Sequence, residues 1–153
     1  MKLKFKKKKI HAGFEVNSRG MILPKEKDVD CCLVKAESGS IGQRKLDWFI
    51  PVVAIEVKTY LDATMWNEAQ YSAILLKRVN SSARVYVFAE DNQVRLSKIT
   101  RESPIDDVFV IRSPHSRRIN PFVVFDFLQQ IRRDLKMIIM PTSNIVVGRL
   151  INR

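Results

Sequence analysis

Apolar residues recur along this chain with two spacings. Alternation with a period of two marks strands, and recurrence at three and four residues marks helices. The densest run contains Pro51, Val52, Val53, Ala54, Ile55 and Val57, and is interrupted by Glu56 and Lys58. It predicts a central strand from about Trp48 to Tyr60. In such a strand residues i and i+2 share a face. Glu56 and Lys58 therefore leave together from one side, and Val53, Ile55 and Val57 face the other, into packing. Two charges at the end of an apolar strand cost stability unless they are paired or bind an ion.

The same reading extends to both sides. A hairpin is expected over 11–23, with Asn17, Ser18, Arg19 and Gly20 as its turn. Residues 25–28 read as a polar connection, 29–36 as a second strand, and 37–44 as a loop with two glycines and two serines. A helix starts near Asp62 or Thr64, either of which can cap it. Met65, Ala69, Ser72, Leu76 and Val79 form its packed stripe, and Asn80, Ser81 and Ser82 end it. Residues 84–89 form a strand one helix beyond the central one, as a parallel crossover requires. Glu90, Asp91 and Asn92 follow as a polar loop, and 108–111 is a further strand. Asn120 and Pro121 start a second helix, which runs to about Lys136 with Val124, Leu128, Ile131 and Leu135 as its apolar stripe. These elements define an α/β fold, a mixed sheet flanked by helices. The expected division is a basic N-terminal arm over 1–12 and one domain over 13–153.

Composition adds a partner. The chain has 153 residues, of which 46% are apolar, enough for one globular core. Its formal net charge is +11, which points to a polyanion: nucleic acid first, an anionic membrane surface second. Lys6, Lys7, Lys8 and Lys9 head a cationic arm suited to a phosphate backbone, and otherwise read as a solvated tail. Arg112, Arg117 and Arg118 form a second basic cluster, with phosphate contact or a solvated loop as the two readings. Cys31 and Cys32 are adjacent, so they are poor disulfide partners and pack as small hydrophobes. His11 and His115 lack a nucleophile at useful spacing. No zinc pattern, membrane-length apolar run or signal core is present. A cytoplasmic, prokaryotic location is expected, with no membrane partner.

Chemistry concentrates at Glu56 and Lys58. An acid-x-base pair is weak by itself, since this composition yields roughly three by chance. Asp134 and Lys136 repeat the spacing, but on a helix i and i+2 do not face each other. Context favours the first pair. Asp30 begins an apolar strand joined by one loop to the central strand, so two antiparallel neighbours bring Asp30 and Glu56 together. Two carboxylates with waters and a phosphate oxygen suit Mg, and Lys58 is placed to assist a water. Asp28 shares the parity of Asp30 and is the rival ligand. The bland alternative is an exposed ion pair at a strand end.

An Asp-bearing strand, a loop, apolar-Glu56-x-Lys58, then helix and strand, resembles the PD-(D/E)xK nuclease superfamily, whose core order αβββαβ covers about residues 13–90. Ile55 to Asp62, with Met65 on the next helix and with Asp28 to Asp30 and Val34 to Ala36 upstream, is similar to BbvCI-type restriction endonuclease subunits, which are longer. The resemblance implies an Mg-dependent endonuclease acting on double-stranded DNA, with Asp30 and Glu56 as metal ligands and Lys58 assisting the attacking water. It also implies a second nuclease subunit, in a hetero- or homodimer. Gln70, on the following helix, is the candidate supporting residue; a solvated helix face is its plain alternative. Two other functions remain open: a repair or junction-resolving nuclease on the same fold, and a non-catalytic DNA-binding subunit.

Overall fold

The computed structural model describes residues 3–6, 9–41, 44–94, 103–112 and 118–139. Seven strands and two helices follow in the order β1 (Leu3–Lys6), β2 (Ile10–Val16), β3 (Ile22–Lys27), β4 (Cys31–Ile41), β5 (Arg44–Leu61), α1 (Ala63–Val79), β6 (Arg84–Asn92), β7 (Asp107–Val110) and α2 (Pro121–Ile139). Five strands form a mixed sheet in the order β1-β4-β5-β6-β7. Pairing is antiparallel from β1 to β5 and parallel from β5 to β7. The α1 crossover between β5 and β6 supplies the connection that parallel pairing needs.

The sheet is covered on both faces. Ala54 of β5 and Val85, Val87 and Ala89 of β6 pack with Trp66, Ala69, Ala73 and Leu76 of α1 in one core. Val53 and Tyr86 face the opposite way and pack with Val123, Phe127, Ile131 and Leu135 of α2 in a second core. The period-two alternation of β5 and β6 thus separates two apolar layers. A buried polar knot ties α2 down: the Tyr86 hydroxyl donates to Asp134, and Gln130 Nε2 donates to Asp134 Oδ1 at 3.3 Å.

Several boundaries differ from the sequence expectation. Leu3–Lys6, expected within a free arm, pairs with β4 through Leu3↔Lys35 and Lys6↔Cys32. Leu3 and Phe5 give this lysine-rich stretch an alternation, and the exposed edge of β4 takes it up. Ile10 is fully buried. The 11–23 hairpin is present as β2 and β3. Its turn is closed by Asn17 Oδ1, which accepts from the N–H groups of Arg19 and Met21, both at 2.9 Å, and Gly20 sits at φ +73. Residues 25–27 extend β3 rather than forming a connection. Residues 37–41, expected as loop, continue β4 and pair with β5 down to Ile41↔Arg44. Exposed and polar over 37–40, this stretch suits a solvated two-stranded ribbon as well as a turn. β6 likewise continues through Asn92.

The helices begin where expected. Asp62 Oδ1 accepts from the Met65 N–H at 2.8 Å as the α1 N-cap, and Asn120 Oδ1 accepts from the Phe122 N–H at 3.0 Å. The α2 stripe holds at Ile131 and Leu135 but is shifted in the first half of the helix. Val123, Phe127, Ile131 and Leu135 face the sheet, while Leu128 is exposed. His11 is half-buried, and its Nδ1 accepts from the Phe49 N–H at 3.0 Å. His115 lies outside the described residues.

Candidate active site

The antiparallel register of β4 and β5 builds the site. Cys31 pairs with Ile55, so Asp30, one residue earlier, lies level with Glu56. Cβ atoms of directly opposed residues are about 5 Å apart. Asp30 Oδ2 accepts from the Val57 N–H at 2.8 Å, which holds its carboxylate against the β5 backbone. Asp28 is engaged elsewhere: its Oδ1 accepts from the Lys9 N–H at 3.3 Å. Asp30, the aspartate favoured over its rival Asp28, is thus the one that lies against β5.

Glu56 and Lys58 share the face of β5 that α1 covers. Glu56 is only 5% exposed. Its Oε2 lies 3.6 Å from Lys58 Nζ, and its Oε1 is buried with no hydrogen-bond partner. Burial pushes the Glu56 carboxyl above its ordinary value; the Lys58 ammonium opposes this and the Asp30 charge adds to it. Two weaker influences favour the charged form, the Ser72 hydroxyl of α1 and the Lys27 ammonium of β3. Val57 departs from the expected packing and is 51% exposed at the end of the opposite face.

This arrangement fits a hard cation. A buried, unpartnered carboxylate oxygen beside a second carboxylate is costly alone and is relieved by a positive charge. Two carboxylates form an incomplete shell for Mg, which keeps waters and takes phosphate oxygens as further ligands. Among the described residues no cluster of three or more His, Cys, Asp or Glu is suited to a metal.

Other candidates are placed as follows. Gln70 is half-buried on α1. Lys6 lies over the Phe49 ring, 3.3 Å from its centroid. Lys9 pairs with Glu26 at 3.7 Å. Arg112 pairs with Glu90, and its Nε is buried without a partner. Arg118 is exposed. Lys7, Lys8 and Arg117 lie outside the described residues. Sequence reasoning placed Ser72 only in the packed stripe of α1. The signal was there, in a hydroxyl at an otherwise apolar position.

A mixed sheet between helices, with an acidic pair and a lysine where β4 begins beside the later part of β5, is an α/β fold of the restriction-endonuclease class. The family model of the Bpu10I restriction endonuclease matches residues 38–138, more than half of the chain, and the chain belongs to that family. The matched stretch contains Glu56, Lys58 and Gln70, and Asp30 precedes it. A solved structure described as the native BbvCI A2B2 tetramer at low resolution is similar in fold, with a TM-score of 0.70 and 18% identity. The match covers 86% of this chain and 59% of that one, so this chain spans less than two thirds of its length. No curated protein matches. No helix among the described residues is long and apolar enough to cross a membrane.

Proposed function

We propose that this chain is a catalytic subunit of a type II restriction endonuclease that hydrolyses DNA phosphodiesters with Mg. The carrying observation is Glu56: buried, with an unpartnered oxygen, level with Asp30 and within 3.6 Å of Lys58. Family membership supports the reaction class. Asp30 and Glu56 would hold the metal, which supplies Lewis-acid stabilisation of phosphate charge. Asp30 is pre-set by the Val57 N–H, which leaves one oxygen for a ligand. Lys58 is 19% exposed, so its ammonium reaches substrate from within the fold. There it orients the attacking water and offsets the growing negative charge. Gln70, half-buried on α1, is assigned a supporting contact to that water or to the phosphate.

The basic residues hold the duplex electrostatically. Lys6, Lys7, Lys8, Lys9, Arg112, Arg117 and Arg118 are the proposed backbone contacts. One such centre cuts one strand, so a second nuclease subunit is part of the proposal. A cytoplasmic site of action follows from the substrate.

Plasmid nicking with and without Mg, in wild type, Glu56→Ala and Lys58→Ala, tests the reading. Wild type is expected to nick only with Mg, and each variant to lose about 100-fold or more. Gln70→Ala is expected to lose less. Nicking that survives in both main variants rejects the assignment. Tight DNA binding with neither nicking nor a response to Mg leaves a non-catalytic binding subunit.

A further inference from the structure

The far end of the β4–β5 pair stands out of the sheet. β1 accompanies β4 only as far as Lys35, and β6 accompanies β5 only from Val53 onward. Beyond these limits β4 and β5 continue as a two-stranded ribbon to Ile41↔Arg44, with no third strand beside it among the described residues. From Lys35 to Ile41 the ribbon extends about 20 Å. Its two faces differ. One is braced: Gly39 lies against Trp48, where an added Cβ would meet Nε1 at 3.4 Å, and the indole contacts the rings of His11 and Phe14. On the other, Ser38 opposes Asp47 and Ser40 opposes Lys45. All four are exposed, and with Gly39 they line an open cleft of about 450 Å³. The Ser38 hydroxyl donates to Asp47 Oδ1 at 2.7 Å, so Oδ2 is the oxygen offered to a further donor.

Charge selects the occupant. The chain carries +11, yet residues 37–47 set Glu37 and Asp47 against Arg44 and Lys45, a local balance of zero. A surface that only grips phosphates has no use for a fixed anion, which repels them. Base edges in the major groove present donors as well as acceptors, and the groove, about 12 Å wide, admits a two-stranded ribbon. A lysine suits the O6 and N7 acceptors of guanine, a carboxylate suits the N4 donor of cytosine, and serines suit either kind. Lys45 and Asp47 lie two residues apart on one face, about 7 Å, which is the rise of two base-pair steps. We propose that this face enters the major groove of duplex DNA and reads base edges, Lys45 at a guanine and Asp47 at a cytosine, with Ser38 and Ser40 supporting the choice. The proposal rests on the DNA-directed reading above and adds sequence preference to it. The basic residues position the duplex, and the ribbon specifies it. From Asp47 to Glu56, β5 runs at most about 30 Å, so the bases read and the bond cut lie within about nine base pairs of each other.

Selection from a randomised duplex pool by the full chain, in chelator to prevent cleavage, tests it. Wild type is expected to enrich two G·C pairs two steps apart. Lys45→Ala is expected to level the preference at one and Asp47→Ala at the other, each losing about 5- to 150-fold in discrimination. Asp47→Asn is expected to exchange its cytosine for adenine, because a carboxamide accepts from N6 and donates to N7. Circular dichroism should be unchanged, since both side chains are exposed. A pool that enriches nothing, or a preference that both alanine variants keep, overturns the proposal. So does uniform weakening by Lys45→Ala with a salt slope smaller by about one, the mark of a phosphate contact. These outcomes leave the nuclease reading standing, which the nicking assay decides separately. A preference lost in the variants, from a chain that never nicks, would uphold the ribbon's role and reject catalysis.

Discussion

Glu56 carries a buried carboxyl that folding has to offset. Burial raises its carboxyl, Lys58 only partly compensates, and Asp30 adds like charge. A carboxyl raised on folding binds protons more tightly in the folded state, so stability falls as pH rises from the ordinary carboxylate range through the raised value. Above that value the penalty is fully present. Glu56→Gln removes it. The metal-free variant is expected to melt above wild type at neutral pH, with the difference shrinking in acid. Mg is expected to raise the melting temperature of wild type and not of the variant, since only a site that binds in the folded state stabilises it. Thermal unfolding across pH, with and without Mg, checks both. A variant that melts lower at neutral pH without metal would show that the buried charge is not a liability. The convergence of Asp30, Glu56 and Lys58 was legible because strand parity and charge within apolar runs are local properties. The contributions of Ser72 and Lys27 were not, because they depend on α1 and the β2–β3 hairpin docking beside β5. Cys32 packed as read: it is fully buried, and its thiol is pushed up to about 12, chiefly by burial.

Between elements, the parallel half of the sheet is pinned by one carboxylate. Asp106, just before β7, accepts from the Val85 N–H of β6 and from Arg84 Nη1, each at 2.8 Å, and pairs with Lys77 of α1 at 2.8 Å. Burial alone would raise its carboxyl, but these three donors together hold it below the ordinary range. For a lowered carboxyl the stabilisation is present above the ordinary carboxylate range and is lost as pH falls through the lowered value. Asp106→Asn is expected to cost about 1–3 kcal/mol at neutral pH. The loss should fade in acid, which urea unfolding at two pH values reads directly. A pH-independent loss would mean that shape rather than charge joins the elements. Sequence periodicity found α1, with Asp62 as one of two candidate caps, and the parallel strand after it. It missed the outer part of β4, where Glu37, Ser38, Gly39 and Ser40 are all exposed and offer no apolar alternation to be read. It also chose Leu128 for the core of α2, because that helix is apolar on two faces and periodicity cannot rank them.

For the molecule as a whole, the sequence carried the layer order but not the edges. An α/β mixed sheet between helices follows from alternating strand and helix periods. That Leu3–Lys6 closes one edge of it depends on β4 offering an unpaired ladder, which no local pattern announces. The surplus of charge, by contrast, is fixed by composition. With 27 basic and 16 acidic residues, even complete internal pairing leaves +11. Ion pairs such as Lys9–Glu26, Lys35–Glu37 and Arg112–Glu90 redistribute that field without reducing it. A duplex held by such a field releases counterions on binding, so its affinity falls steeply with salt. Contact with about six phosphates would cost about 1,000-fold in affinity between about 50 and 200 mM salt. Fluorescence anisotropy with a labelled duplex in chelator, which prevents cleavage, measures the slope. Glu56→Ala should share the slope of wild type, because it changes the reaction centre and leaves the cationic surface intact. Salt-independent binding would remove nucleic acid as the partner whatever the nicking assay gives. A steep slope shared by a variant that cannot cut would show that affinity resides in the summed charge of the molecule and cleavage in three side chains.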